Sequence, residues 1–341
     1  MGSKRFYTFC LYTIVSVTLL FFLGGLVRAT GSGMGCPDWP KCFGKIAPPV
    51  SEKYLPENYK EIFLTKRKKK VDKFIQLLNK IGLKEKAIAI QNNPDLLIAH
   101  PFNATTAYIE YVNRLFGVLS GFLMLITTYF AFTWRKTNVR IPIYTVSALI
   151  MIVFNGWLGS IVVDTNLFSG LVSLHFIFAF AAIAFLLLAY NQLRNYTIPN
   201  IKHLKLLLTV GLIISTVQIF SGISMRALVE QTLGENPSLT AFLELGSGFA
   251  FHRYFSALVF LLFLYLSYQT FKLKDNSLLS KHLYALTICS FLQIATGALN
   301  ITFSLPAASQ VVHITLGALL FVFSFNALII FNKHQIQIKN D

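Results

Sequence analysis

Three histidines stand where histidine is costly. His175, His252 and His313 each fall one or two helical turns inside a long apolar run, and an ionisable side chain inside a membrane marks function by default. One such histidine alone reads as a hydrogen-bonded packing residue. His252 and His313 share matched depth on two helices of one bundle, and that reverses the reading. Facing imidazoles in a bundle core make a bis-histidine haem site, because bundles build cofactor sites from inward side chains. His100, His203, His282 and His334 lie in loops or at helix ends and carry no assigned role.

The same pattern occurs earlier in the chain with one change. His175 precedes His313 by 138 positions, and Asn113-Arg114 precedes His252-Arg253 by 139. An amide is a poor axial ligand, so this site offers one strong ligand, His175, and an open or water-occupied position. Open coordination permits iron to bind or activate oxygen, whereas two histidines favour electron transfer. Glu110 stands three residues before Asn113 and faces the same way on a helix; the equivalent place near His252 is Phe249. Its carboxylate is either interfacial, favoured by the helix N-terminus, or a proton relay or stabiliser of a cationic intermediate. Arg114 and Arg253 sit where haem propionates would point, or else they snorkel to the interface. Arg28 and Arg226 are weaker candidates of the same kind.

Gly35-Cys36-Pro37-Asp38-Trp39-Pro40-Lys41-Cys42 places two cysteines in a turn-rich loop. On an oxidising side of the membrane a disulfide is expected there, as a loop staple or as a redox-active pair. Cys10 and Cys289 lie inside apolar runs and read as inert.

Composition defines the elements that must position these groups. The chain has 341 residues, 55% hydrophobic and only 13% charged, with a formal net charge of +16 and a mean hydropathy of +0.60. Soluble proteins carry about 25% charged residues, so a nucleic-acid-binding or soluble two-domain protein is excluded. Four cysteines exclude a disulfide-rich scaffold. What remains is an all-α polytopic membrane protein in contact with lipid. Eight runs approach the roughly 20 residues a span requires: about 6–27, 108–134, 141–163, 169–191, 203–224, 249–272, 280–302 and 307–331.

Thirteen Lys and Arg residues fall at one set of span ends, among them Lys4, Arg5, Arg135, Lys333 and Lys339, and none falls in the opposite short loops 164–168 and 303–306. The positive-inside rule then makes both termini cytoplasmic. Residues 28–107 form an outer loop with its own thirteen basic residues, Lys41 to Lys86, which long loops translocate regardless. An apolar stripe, Val71, Phe74, Ile75, Leu78 and Ile81, follows Lys66-Arg67-Lys68-Lys69-Lys70 and predicts one or two helices whose basic face is solvated or else attracted to anionic headgroups or an acidic partner. The 138–139 spacing predicts two repeated four-helix bundles. Span 1 (1–27), the loop (28–107) and spans 2–4 (108–191) form the first unit; 192–341 forms the second, with spans 5–8.

Taken together, Cys36-Pro37-Asp38-Trp39-Pro40 with Cys42, Glu110-Tyr111-Val112-Asn113-Arg114, His175, His252-Arg253 and His313 on eight spans resemble the haem A synthase family over most of the chain. The resemblance implies oxygen-dependent oxidation of the C8 methyl of haem O to the formyl of haem A, for terminal oxidases. It implies haem b between His252 and His313, the substrate haem in the first bundle, and a catalytic role for Glu110 beside Asn113 and His175. Implied partners are a haem O synthase, terminal oxidase subunits and an electron donor, in the cytoplasmic (inner) membrane of a bacterium with the haem sites near the outer side; the pattern also admits a homo-oligomer. Two departures stand out: the family has histidine at Asn113, and the second Cys pair of some members is absent. The competing expectations are a b-type cytochrome that only shuttles electrons and an assembly factor that only stores or transfers haem.

Overall fold

A computed structural model describes residues 2–93, 96, 98–233 and 238–340. Residues 94, 95 and 97 of the expected loop, and 234–237 and 341 of the expected second unit, lie outside the described residues, as does the side chain of Lys339. The described residues form α1 (Gly2–Ala29), α2 (Tyr59–Lys80), α3 (Lys84–Gln91), α4 (Ala104–Ala131), α5 (Arg140–Asp164), α6 (Ser169–Tyr190), α7 (Leu204–Thr232), α8 (Leu239–Leu243), α9 (Ser247–Lys272), α10 (Leu278–Thr302) and α11 (Ala307–Asn340). Eight of them, all but α2, α3 and α8, are long and apolar enough to cross a bilayer. These are the eight runs expected from hydropathy.

The second span starts at Ala104, four residues earlier than the apolar run suggests. Asn103 explains this: its side chain accepts from the Thr106 N–H at 3.2 Å, which satisfies one of the N–H groups every helix start leaves open. Large apolar side chains such as Phe122, Val153 and Phe271 point outward and are 61%, 65% and 72% exposed, as a lipid-facing surface requires.

The helices pack in two closed sets. α1, α4, α5 and α6 touch in sequence and close on α1; α7, α9, α10 and α11 close in the same way. The sets meet where α11 runs along α1 and α6. Ala318, Val322 and Ile329 of α11 join the core of the first set, while Leu316, Leu320, Ala327 and Ile330 join that of the second. A helix apolar on every side belongs in the interior, and α11 is that helix.

The loop after α1 is itself folded. Val71, Phe74, Ile75 and Leu78 of α2 pack with Ala87 and Ile90 of α3 against Leu158 and Ile161 of α5 and Leu171 of α6. Ile81 falls just past the helix end and is 60% exposed, so it leaves the predicted stripe. Lys66, Lys68 and Lys69 are solvated as expected, while two members of the basic run are engaged by the protein. Lys70 pairs with Asp164 at 3.1 Å. Arg67 is buried and donates to the Ile98 carbonyl at 3.1 Å; burial lowers its pKa against the pull of Asp164.

At the end of the bundle that holds the termini, a chain of polar groups joins the two sets. His282 Nδ1 lies 2.9 Å from the Leu278 carbonyl, which can only accept, so His282 Nε2 accepts from the Asn326 amide at 2.8 Å. Asn326 Oδ1 accepts from Asn191 at 2.8 Å, and the Asn191 oxygen accepts from the Tyr196 hydroxyl. Burial pushes the Tyr196 phenol up to about 12, which keeps it a donor. Lys333 and His334 of α11 bond the carbonyls of Gln192 and Tyr196, each at 2.7 Å.

Candidate functional site

His175, His252 and His313 all sit within the first two turns of α6, α9 and α11. Those helices and α4 start at the same face of the bundle, so the three imidazoles and Glu110 share one depth. The His252 and His313 rings face each other with centroids 6.4 Å apart and planes at 68°. Metal–imidazole bonds are about 2 Å long and the bonded nitrogen lies about 1 Å from its ring centre, so two imidazoles on one metal stand about 6 Å apart. The pair therefore fits a metal held between its nitrogens.

Hydrogen-bonding groups surround the inner nitrogen of each ring. Ser221 of α7 donates to the Gln218 carbonyl at 2.8 Å, and its oxygen lies 2.9 Å from His252 Nδ1, which the Gln218 amide nitrogen also meets at 3.2 Å. Thr296 of α10 donates to the Leu292 carbonyl at 2.8 Å, so its oxygen accepts from His313 Nδ1 at 3.0 Å. Hydrogen positions follow here from who can donate. His313 Nδ1 therefore carries the proton and leaves its Nε2 lone pair for a metal, while His252 Nδ1 is held between Ser221 and Gln218. Gln218 and Gln293 add a second support by donating to the backbone carbonyls of His252 and His313 at 2.9 and 2.8 Å. Gly222 lets α7 approach: a Cβ there would stand 2.9 Å from His252 Cε1.

Sequence reasoning did not single out these four supports. Their signal is the matching Gln218-Ile219-Phe220-Ser221-Gly222 and Gln293-Ile294-Ala295-Thr296-Gly297. At the same register α5 carries Asn155-Gly156-Trp157-Leu158-Gly159 and α1 carries Phe21-Phe22-Leu23-Gly24-Gly25. His175 packs on Gly159, with its Cε1 3.4 Å from where a Cβ would lie, but Leu158 stands where Thr296 stands for His313. Among the described residues His175 Nδ1 and Asn155 Oδ1 are buried with no hydrogen-bond partner.

Glu110 and Arg114 lie one turn apart on α4 and form an ion pair. Glu110 is 3% exposed, so an interfacial carboxylate is not what α4 presents. Its other oxygen accepts from the Cys36 N–H at 2.7 Å. Arg114 continues into the same loop, donating to the carbonyls of Asp38 at 2.7 Å, Lys41 at 2.8 Å and Cys36 at 3.3 Å. The loop is closed by a Cys36–Cys42 disulfide and rests on α4 through Gly35, where a Cβ would lie 2.4 Å from the Thr106 carbonyl. Arg114 is thus engaged by the loop. Arg253 is exposed, its guanidinium 5.6 Å from the ring centre of Tyr254. Asn113 is half-buried on α4 beside this clamp, and Cys10 and Cys289 are buried free thiols.

Fold and site define a multi-pass, all-helical membrane protein with half-buried imidazoles at the face that carries the disulfide. The chain belongs to the COX15-CtaA family, described as cytochrome oxidase assembly protein, whose profile matches residues 7–85 and 84–325. It is similar to a heme A synthase of Shewanella oneidensis, 25% identical over 62% of this chain and 53% of the relative. One of Rickettsia prowazekii is 24% identical over 88% of this chain and 90% of the relative. One of Ehrlichia canis is 27% identical over 68% and 58%. The chain thus spans about half the length of the Shewanella relative and nearly all of that from Rickettsia. A membrane protein that handles haem is common ground among them.

Proposed function

We propose that this protein is a haem A synthase, oxidising the C8 methyl of haem O to a formyl group. The observation that carries the reading is the His252–His313 pair: rings 6.4 Å apart, each Nδ1 within hydrogen-bond distance of a hydroxyl, and neither Nε2 with a partner among the described residues. That is the donor set of a six-coordinate haem, which supplies one-electron transfer. Family membership and the names of the relatives favour oxidation of a haem over electron shuttling alone.

The two helix sets divide the work, as descendants of one duplicated bundle. In the second, His252 and His313 would hold the haem, and Ser221 and Thr296 fix the orientation of their rings from behind. In the first, His175 holds the substrate haem from one face, and Asn113, a poor ligand, leaves the other face open to oxygen. Each hydroxylation consumes one oxygen molecule, two electrons and two protons and releases water; two in succession give a hydrated aldehyde that loses water to the formyl. Glu110 is the group on α4 able to take or give a proton at its Oε atoms, and Arg114 holds that carboxylate against the loop. Arg253, exposed at the mouth of the second set, is placed for a propionate. The disulfide loop covers Glu110 and excludes water from it.

The protein acts in the inner membrane of a bacterium, both termini inside and the sites toward the outer face. It receives haem O from a haem O synthase and passes haem A to terminal oxidase subunits. Co-expression with a haem O synthase, followed by chromatography of the extracted haems, tests the activity: haem A should accumulate, and haem O alone with folded protein present refutes it.

A further inference from the structure

The three half-buried imidazoles are not held alike. His252 and His313 each have a hydroxyl on Nδ1 and a glutamine on the backbone carbonyl. His175 has neither: Leu158 replaces the hydroxyl, Asn155 is one methylene shorter than Gln293, and both His175 Nδ1 and Asn155 Oδ1 are buried without a partner among the described residues. The glycine under the ring is kept in all three cases, at Gly159, Gly222 and Gly297. What differs is the hydrogen bond behind the ring.

We propose that the Gln-x-x-(Ser/Thr)-Gly element of α7 and α10 makes the second-half haem resident, and that its loss opposite His175 makes that imidazole a ligand built for exchange. This rests on the reading of all three histidines as haem ligands. A hydrogen bond accepted from Nδ1–H fixes the tautomer, stops the ring turning and makes Nε2 more basic; removing such a partner weakens metal affinity about 10- to 100-fold. A cofactor that stays through many turnovers needs that hold. A haem that arrives as substrate and leaves as product needs the opposite, because tight ground-state binding of product slows its release. Ser221, Thr296, Gln218 and Gln293 are positioning residues: they act on iron only through the imidazoles.

The test uses the full-length protein purified with its native haem and follows haem transfer to excess apomyoglobin by absorbance. Ser221→Ala removes one oxygen and Thr296→Val keeps the side-chain shape; each should speed haem release about tenfold or more and shift the midpoint potential, while Thr296→Ser restores the original rate. The converse arm is Leu158→Thr in a His252→Ala/His313→Ala protein loaded with haemin, where release should slow about tenfold relative to the same protein with Leu158. Unchanged release and potential in folded Ser221→Ala protein overturns the proposal, even if Thr296→Val fails to assemble. A wild-type protein that purifies without haem and takes up no haemin refutes the haem-ligand reading beneath it, a different result from one in which only the variants are silent.

Discussion

Behind His252 and His313 stand Ser221 and Thr296; at the matching register for His175 the sequence has Leu158, and the inner nitrogen of that ring has no hydrogen-bond partner among the described residues. In front the order reverses. The first half carries a buried carboxylate, Glu110, with an arginine and a disulfide loop folded onto it, whereas the second has Phe249 at the equivalent place. One half surrounds its imidazoles with hydrogen-bonding groups, the other buries a protonatable carboxylate under a loop. Two helix sets of like connectivity thus differ in the polar groups placed around their imidazoles.

The sharpest way to break this comparison is to remove the ligands themselves. His313→Ala should abolish the paired site and most of the haem that copurifies, measured as pyridine haemochrome per chain. His175→Ala should keep that haem and stop haem A formation. If both variants lose haem equally, the halves are not distinct. Glu110→Gln comes next: it keeps the shape and should keep the haem, but lower haem A formation about 100-fold, the scale of a general acid–base group. Full activity in Glu110→Gln protein would take the carboxylate out of the chemistry.

Arg114→Met tests whether the loop and Glu110 form one unit. It leaves a buried carboxylate without its cation, at a cost of about 3 kcal/mol, seen as a lower midpoint in thermal melts with the loop opened to proteolysis. Backbone clearance separates the halves more gently. Gly222→Ala drives a Cβ to 2.9 Å from His252 and should cost about 1–3 kcal/mol. Gly159→Ala meets His175 only at 3.4 Å and should stay within about 1 kcal/mol of neutral, helped by alanine's helix propensity. Lys70→Ala, which removes a half-exposed ion pair, should change stability by no more than about 1 kcal/mol, because the apolar face of α2 holds the insertion in place.

What the sequence made legible follows from which forces are local. Span number and extent depend on apolar run length, and the eight helices match it within a few residues. The stripe at Val71, Phe74, Ile75 and Leu78 announced a helix through its period alone, and what that helix docks on came only with the fold. The pairing of His252 with His313 was legible because depth along a helix can be counted. Arg114 was not: its three carbonyl partners exist only once Cys36 to Lys41 has folded over α4, and no spacing in the sequence encodes that turn. Thr296 and Leu158 were visible as members of matched segments, but their meaning lies in a hydroxyl reaching another helix. Composition says which residue is there, and only packing says what it faces.

The polar chain from Tyr196 through Asn191 and Asn326 to His282, with Lys333 and His334 beside it, has a mechanical consequence. It rivets the two helix sets together at the end far from the imidazoles, in directed bonds that resist both sliding and rotation. The apolar seam of α11 on α1 and α6 continues from there toward the imidazoles, as far as Ile314 against Gly25. Clasp and seam together leave the two sets no free end, so the bundle is locked along its length.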